Sequence, residues 1–297
     1  MPAIFQRNDA LDVNPQGGDA HLSTAGSDWL WAVTAIYLVS FLAYFALSFK
    51  PRNNERIFHY LFTIALFVGT ITYYSIASGI AYSVIPTQRN IGRAVSYQIF
   101  FAKYINWVVA FPIVLLALGL MSGVSWATIL FNIFLSWIWV ISYLCSAYTR
   151  TSYKWGYFAF GTFAYLMLAF QTLHPGRTSA ARLGLSRDYL MLAGWLNLLW
   201  LLYPIAFGVS DGGNEIGVTQ SFVFFGILDV LMIPGLAFAF MFLSKRWDYG
   251  ALNLHFTQYG RVSSGSGVFP EKRAPAATTG TTAPAPAPAP ATATPAV

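Results

Sequence analysis

Two residues stand out in an otherwise apolar chain: Lys103 within SYQIFFAKYINWVVAFPIVLLALGL and Asp229 within VTQSFVFFGILDVLMIPGLAFAFMFL. A charge midway along a membrane-spanning helix is costly unless it meets protein, water or an opposite charge. An amine and a carboxylate on two spans therefore suggest a salt bridge or a shared water network between them. Asn106, one turn beyond Lys103, is the third member of this intramembrane polar network. Such a group could belong to a transport path, border a pocket, or only fix helix packing. Trp107 follows directly, and WLLYP puts Trp200 and Tyr203 three residues apart on one helix face that Phe207 extends by a turn. Rings converging on a mid-membrane polar group are the lining of an apolar ligand pocket, or ordinary filler between helices.

Other chemistries find no support. There is no GxGxxG or Walker pattern, and His21, His59, His174 and His255 lack the HExxH spacing of a zinc hydrolase. The single cysteine, Cys145, excludes an intrachain disulfide framework and a Cys-rich metal site. Nothing in the pattern joins Ser, His and Asp into a hydrolytic triad. The reading is a protein that is not an enzyme and holds no metal.

The elements that must position these residues are long apolar helices. Val218–Leu243 has 26 residues, and at 1.5 Å per residue that is about 39 Å, enough to cross a hydrocarbon core about 30 Å thick with some tilt. Six further spans are expected: Trp29–Phe49, Ile57–Tyr82, Ser96–Leu120, Trp126–Tyr148, Tyr153–Leu173 and Tyr189–Val209. The second carries Ser and Gly at intervals that permit close helix contact. Pro112, Pro204 and Pro234 fall inside spans, where each removes a backbone donor and should bend its helix.

Composition agrees. Of 297 residues, 56% are hydrophobic and 9% charged, against about 25% charged in soluble domains. The net charge of +6 calls for no nucleic-acid partner and is explained by basic loops at a membrane surface. Residues 1–28 form a polar N-terminal segment without the layout of a cleavable signal peptide, 29–246 a seven-helix domain, and 247–297 a disordered Pro/Ala/Thr-rich tail. Lys50, Arg52, Arg56, Arg177, Arg182, Arg187, Lys245 and Arg246 fall on one side. The other side offsets Arg89, Arg93, Arg150 and Lys154 with Asp211 and Glu215, and Arg7 with four N-terminal aspartates. The positive-inside bias puts the C-terminus in the cytoplasm and the N-terminus outside.

In three spans the motifs resemble one known family. KYINW followed by FP in the third span is similar to the arginine-tyrosine-x-aspartate-tryptophan and proline of microbial rhodopsins. WLLYP in the sixth is similar to their tryptophan-x-x-tyrosine-proline, and LDVLMIPG in the seventh to their leucine-aspartate-valine-x-x-lysine. The resemblance covers about Trp29 to Arg246 and points to the fungal opsin-related branch of 30 kDa heat-shock-like membrane proteins. It implies an all-α, microbial-rhodopsin-like seven-transmembrane-helix bundle. Asp229 would belong to the retinal counterion complex, and Trp107, Trp200, Tyr203 and Phe207 would surround the polyene.

The departures from the family decide the functional expectation. The retinal-linking lysine is replaced by Ile233, which has no amine to form an imine. Asn106 stands at the carboxylate proton acceptor, Ala110 at a neighbouring threonine, Ala117 at the internal proton donor of pumps, and Lys103 at the arginine, without its forked geometry. The resemblance then implies a non-photoactive opsin-related protein with no covalent retinal. It would be a stress-associated structural or regulatory partner of other plasma-membrane proteins, with a proton-pumping ATPase as one such partner, and its oligomeric state stays open. Two alternatives also stay open: an ion channel or transporter using the Lys103–Asp229 region, and a sensor of a noncovalent apolar ligand held in a vestigial pocket.

Overall fold

The computed structural model describes residues 8–51, 56–91, 94–252 and 254. After a short turn of helix α1 (Ala10–Val13), the helices are α2 (Thr24–Leu47), α3 (Ile57–Ala77), α4 (Ala102–Ser122), α5 (Trp126–Tyr148), α6 (Lys154–Gln171), α7 (Arg177–Arg182), α8 (Ser186–Phe207) and α9 (Val218–Ser244). Among the described residues seven spans are long and apolar enough to cross a membrane, α6 and α7 forming one of them. Each neighbour in the order α2, α3, α4, α5, α6, α8, α9 packs on the next, and α9 closes the ring on α2.

Local chemistry sets several helix ends. The Ser23 hydroxyl accepts from the Gly26 amide at 3.2 Å to start α2, and Ser125 accepts from Thr128 at 3.2 Å to start α5. Gly123 stops α4 with φ +67°, a conformation that costs a residue with a Cβ atom. All three span prolines lie within helices as expected. Two spans depart from α geometry near their ends, in π-helical turns at Thr172–Gly176 and Gly208–Gly212.

The largest difference from the expected spans lies between α3 and α4. Ser96–Phe100 are not helical: strands β1 (Tyr82–Ile91) and β2 (Ala94–Phe100) form an antiparallel hairpin, with Tyr82 opposite Phe100 and Ile85 opposite Tyr97. SYQIF is apolar enough to extend a membrane span, but its alternating side chains suit a pleated surface equally well, and pairing with YSVIP decides. Accordingly α3 ends at Ala77 and α4 begins at Ala102.

The N-terminal residues pack over this hairpin. Ala20 donates to Ser96 at 2.9 Å and accepts from Gln98 at 3.0 Å, and the Gln98 side chain reaches Gln16 and the Leu22 amide. Helix α2 begins at Thr24, before the expected Trp29. At the other end, Trp247, Leu252 and Leu254 are buried, so packing on the helices continues past Arg246. The expected tail beyond Leu254 lies outside the described residues, as do Arg7, Arg52 and Arg93.

Candidate functional site

Five helices meet at Asp229. Its side chain, 1% exposed, accepts from the Tyr73 hydroxyl of α3 at 2.6 Å, the Trp107 indole of α4 at 3.1 Å and the Tyr203 hydroxyl of α8. From α2, Tyr37 donates to the Asp229 backbone carbonyl at 2.9 Å. A carboxylate can only accept, and three neutral donors aimed at it satisfy it without a cation. The geometry holds Asp229 in place from three sides.

Lys103 belongs to a second cluster. Its ammonium lies 2.6 Å from the carboxylate of Asp211, which also accepts from Tyr104 at 2.5 Å. The Phe225 ring lies below the ammonium, 4.5 Å from centroid to nitrogen. The expected bridge from Lys103 to Asp229 is therefore replaced by one to Asp211. The cause is the π-helical turn after α8, where Ser210 leaves helical geometry (φ −103°, ψ −105°) and Asp211 is buried, not carried in a solvent loop. Asn106 joins neither cluster: it is fully buried, and neither side-chain atom has a hydrogen-bond partner. Lys103, Asn106 and Asp229 thus do not form one network.

Trp107, Trp200 and Tyr203 do come together, but around other rings. Phe111 lies 5.2 Å from Trp200, 5.6 Å from Tyr203 and 6.1 Å from Trp107, and Trp139 lies 5.2 Å from Phe111 and 5.6 Å from Trp200. The Trp200 indole donates to Met232 Sδ at 3.1 Å. Phe207 is directed elsewhere, tilted against Tyr143 at 4.4 Å and stacked on Phe158. Ile233 is fully buried one turn after Asp229. Four clefts of about 290 to 510 Å³ lie at helix ends or on outer faces, and none is lined by Trp107, Trp200, Tyr203 or Ile233.

The sequence matches the bacteriorhodopsin-like protein family over residues 24–248. This chain belongs to that family. As an opsin-like protein it is 39% identical to the protein FDD123 of Trametes versicolor, over 85% of this chain and 89% of that one. It is 29% identical to the 30 kDa heat shock protein of Saccharomyces cerevisiae, over 77% and 76%. Its fold superposes on the light-driven proton pump rhodopsin of Coccomyxa subellipsoidea with a TM-score of 0.71 at 25% identity, covering 74% of this chain and 97% of that one. The chain is thus a multi-pass integral membrane protein with the microbial-rhodopsin fold. No group of three or more His, Cys, Asp or Glu residues among those described could hold a metal ion.

Retinal, the chromophore the family implies, does not fit the residues present. The resemblance puts the pigment-linking amine at position 233, one turn after Asp229, and the side chain there is isoleucine. It also needs a slot between Trp107, Trp200 and Tyr203, where the rings of Phe111 and Trp139 are packed instead.

The residues missed in sequence are Tyr37, Tyr73, Trp139 and Asp211. For the first three the available signal was a hydroxyl or indole inside an apolar span, since such groups seek partners when buried. For Asp211 there was none, because DGGNEIG has the composition of a solvent loop.

Proposed function

We propose that this protein is a non-photoactive opsin that serves as a structural or regulatory partner of other plasma-membrane proteins under stress. The observation that carries the reading is the aromatic packing of Phe111 and Trp139 among Trp107, Trp200 and Tyr203, together with Ile233 in place of an amine. A helix bundle so filled keeps the rigid scaffold of a pump without its moving part. The link to stress is supported by similarity to a yeast relative whose name is a heat shock protein. The N-terminus faces outside and the C-terminus the cytoplasm, as the basic loops favour. A proton-pumping ATPase is the partner to try first.

Two features support this reading over a channel or transporter. Lys103 is neutralised by Asp211, and Asp229 is held by three donors, so neither offers an open coordination site along a path. The same filling weighs against a sensor of an elongated apolar ligand.

The test is reconstitution of the full chain in proteoliposomes, alone and with a proton-pumping ATPase. The expected result is no retinal-dependent visible band, no light-driven or passive ion flux from the protein alone, and a changed ATPase rate when both are present. Intrinsic flux abolished by Asp229→Asn would overturn the reading in favour of transport.

A further inference from the structure

At the bundle end away from the hairpin, a cavity of about 320 Å³ opens between the last turns of α2 and α9 and the first turn of α3. Its polar lining is Lys50, His59, Ser244, Lys245 and Tyr249, the Ser244 hydroxyl donating to the Met241 carbonyl at 3.2 Å. Leu47, Met241 and Trp247 supply apolar wall. The turn that carries Lys50 is held by Arg56, whose guanidinium donates to the backbone carbonyl of Pro51 at 2.9 Å. Among the described residues, Asp188 accepts from the Trp247 indole at 2.9 Å and Asp248 from the Gly250 amide at 2.9 Å. Among the described residues no carboxylate lines the cavity itself.

A cleft of this size, lined by Lys50 just after α2, Lys245 just after α9 and an imidazole, matches a compact, multiply charged oxyanion. Its place at the helix ends says what carries that oxyanion. On the flanks of α2 and α9, Phe45, Phe49, Phe238 and Phe242 are exposed, and α2 and α9 touch where Tyr44 meets Phe238 at 5.7 Å. This gives an apolar face directly beside a cationic cavity, as a phospholipid presents acyl chains beside its headgroup. We propose that this cavity is a binding site for the headgroup of an anionic phospholipid bearing a phosphate monoester, with Lys50 and Lys245 as the main contacts. The assignment stands apart from the regulatory role proposed above and survives its failure.

The experiment uses the full chain in detergent, titrated with phosphatidic acid, with phosphatidylcholine and with inorganic phosphate, and read by native mass spectrometry. Phosphatidic acid should be retained selectively. Lys50→Gln with Lys245→Gln should weaken that retention by about tenfold or more, whereas Arg177→Gln with Arg182→Gln, the same charge loss at the same end, should change it less than about twofold. Lys50→Arg with Lys245→Arg should restore it, and melting curves check that all variants are folded. Equal weakening by both Gln pairs would reduce the effect to net charge and overturn the site. So would equal retention of phosphatidylcholine. Saturable binding of inorganic phosphate that displaces the lipid would assign the cavity to a free anion and overturn the lipid assignment.

Discussion

Lys103 and Asp211 form an ion pair at 2.6 Å with both side chains only 3% exposed. Removing one partner of such a pair leaves an uncompensated buried charge, which costs about 3–5 kcal/mol, whereas removing both with apolar residues of similar volume is often neutral. Lys103→Met and Asp211→Leu should each lower the melting temperature clearly, and the two combined should recover most of the loss. A double variant as unstable as the sum of the two would show that the pair acts separately in folding.

Tyr37 crosses α3 at Gly69. A Cβ atom on Gly69 would come within 2.2 Å of the Tyr37 ring, so glycine is what lets Tyr37 reach the Asp229 carbonyl. Gly69→Ala should destabilise the protein by roughly 1–3 kcal/mol through overpacking. Adding Tyr37→Leu should recover part of it, as thermal or chemical unfolding in micelles would record.

Restoring the lysine alone should not restore a pigment. In Ile233→Lys the rings of Phe111 and Trp139 still stand between Trp107, Trp200 and Tyr203. The expected outcome with all-trans retinal is no visible absorption band for the single variant. A borohydride-trappable band is expected once Phe111→Ala and Trp139→Leu are added. Truncations of this kind cost about 3–5 kcal/mol each without a ligand, so retinal should also raise the melting temperature of the triple variant. A strong band from Ile233→Lys by itself would show that the packing yields to the polyene.

The cap over the hairpin should be acid-sensitive. The Asp19 carboxylate accepts from the Ser96 hydroxyl at 2.8 Å and from the amides of Val95 and Ser96 at 3.0 and 3.1 Å. The Ser96 hydroxyl foremost, then the Val95 amide, hold its carboxyl below the usual carboxylate range. A carboxyl whose folded pKa is lowered adds stability above its unfolded pKa, about 3.9, and loses it as pH falls through the lower folded value. Amide protection at Val95 and Ser96 should therefore hold at neutral pH and drop in acid. Asp19→Asn should remove this pH dependence, which hydrogen exchange across the carboxylate range would reveal.

Seven spans, their order and the isoleucine at position 233 were decided by sequence alone. Bilayer thickness demands uninterrupted apolar runs such as 218–243, and no packing arrangement can give Ile233 a nitrogen. The motifs KYINW, WLLYP and LDVLMIPG were enough to bring Trp107, Trp200, Tyr203 and Asp229 toward one region, because each motif sits at a defined depth on its own helix.

Tertiary structure decided which groups meet. In a membrane both faces of a helix are apolar, so periodicity does not tell Tyr37 and Tyr73, which face inward, from Tyr60 and Tyr74, which are exposed. The partner of Lys103 depended on a π-helical turn that buries Asp211, and the edge of α4 depended on whether Ser96–Phe100 found a strand to pair with. The first rests on a contact between segments far apart in the chain and the second on pairing between neighbouring strands, and in both the contacts outweigh the small local preferences that a sequence displays.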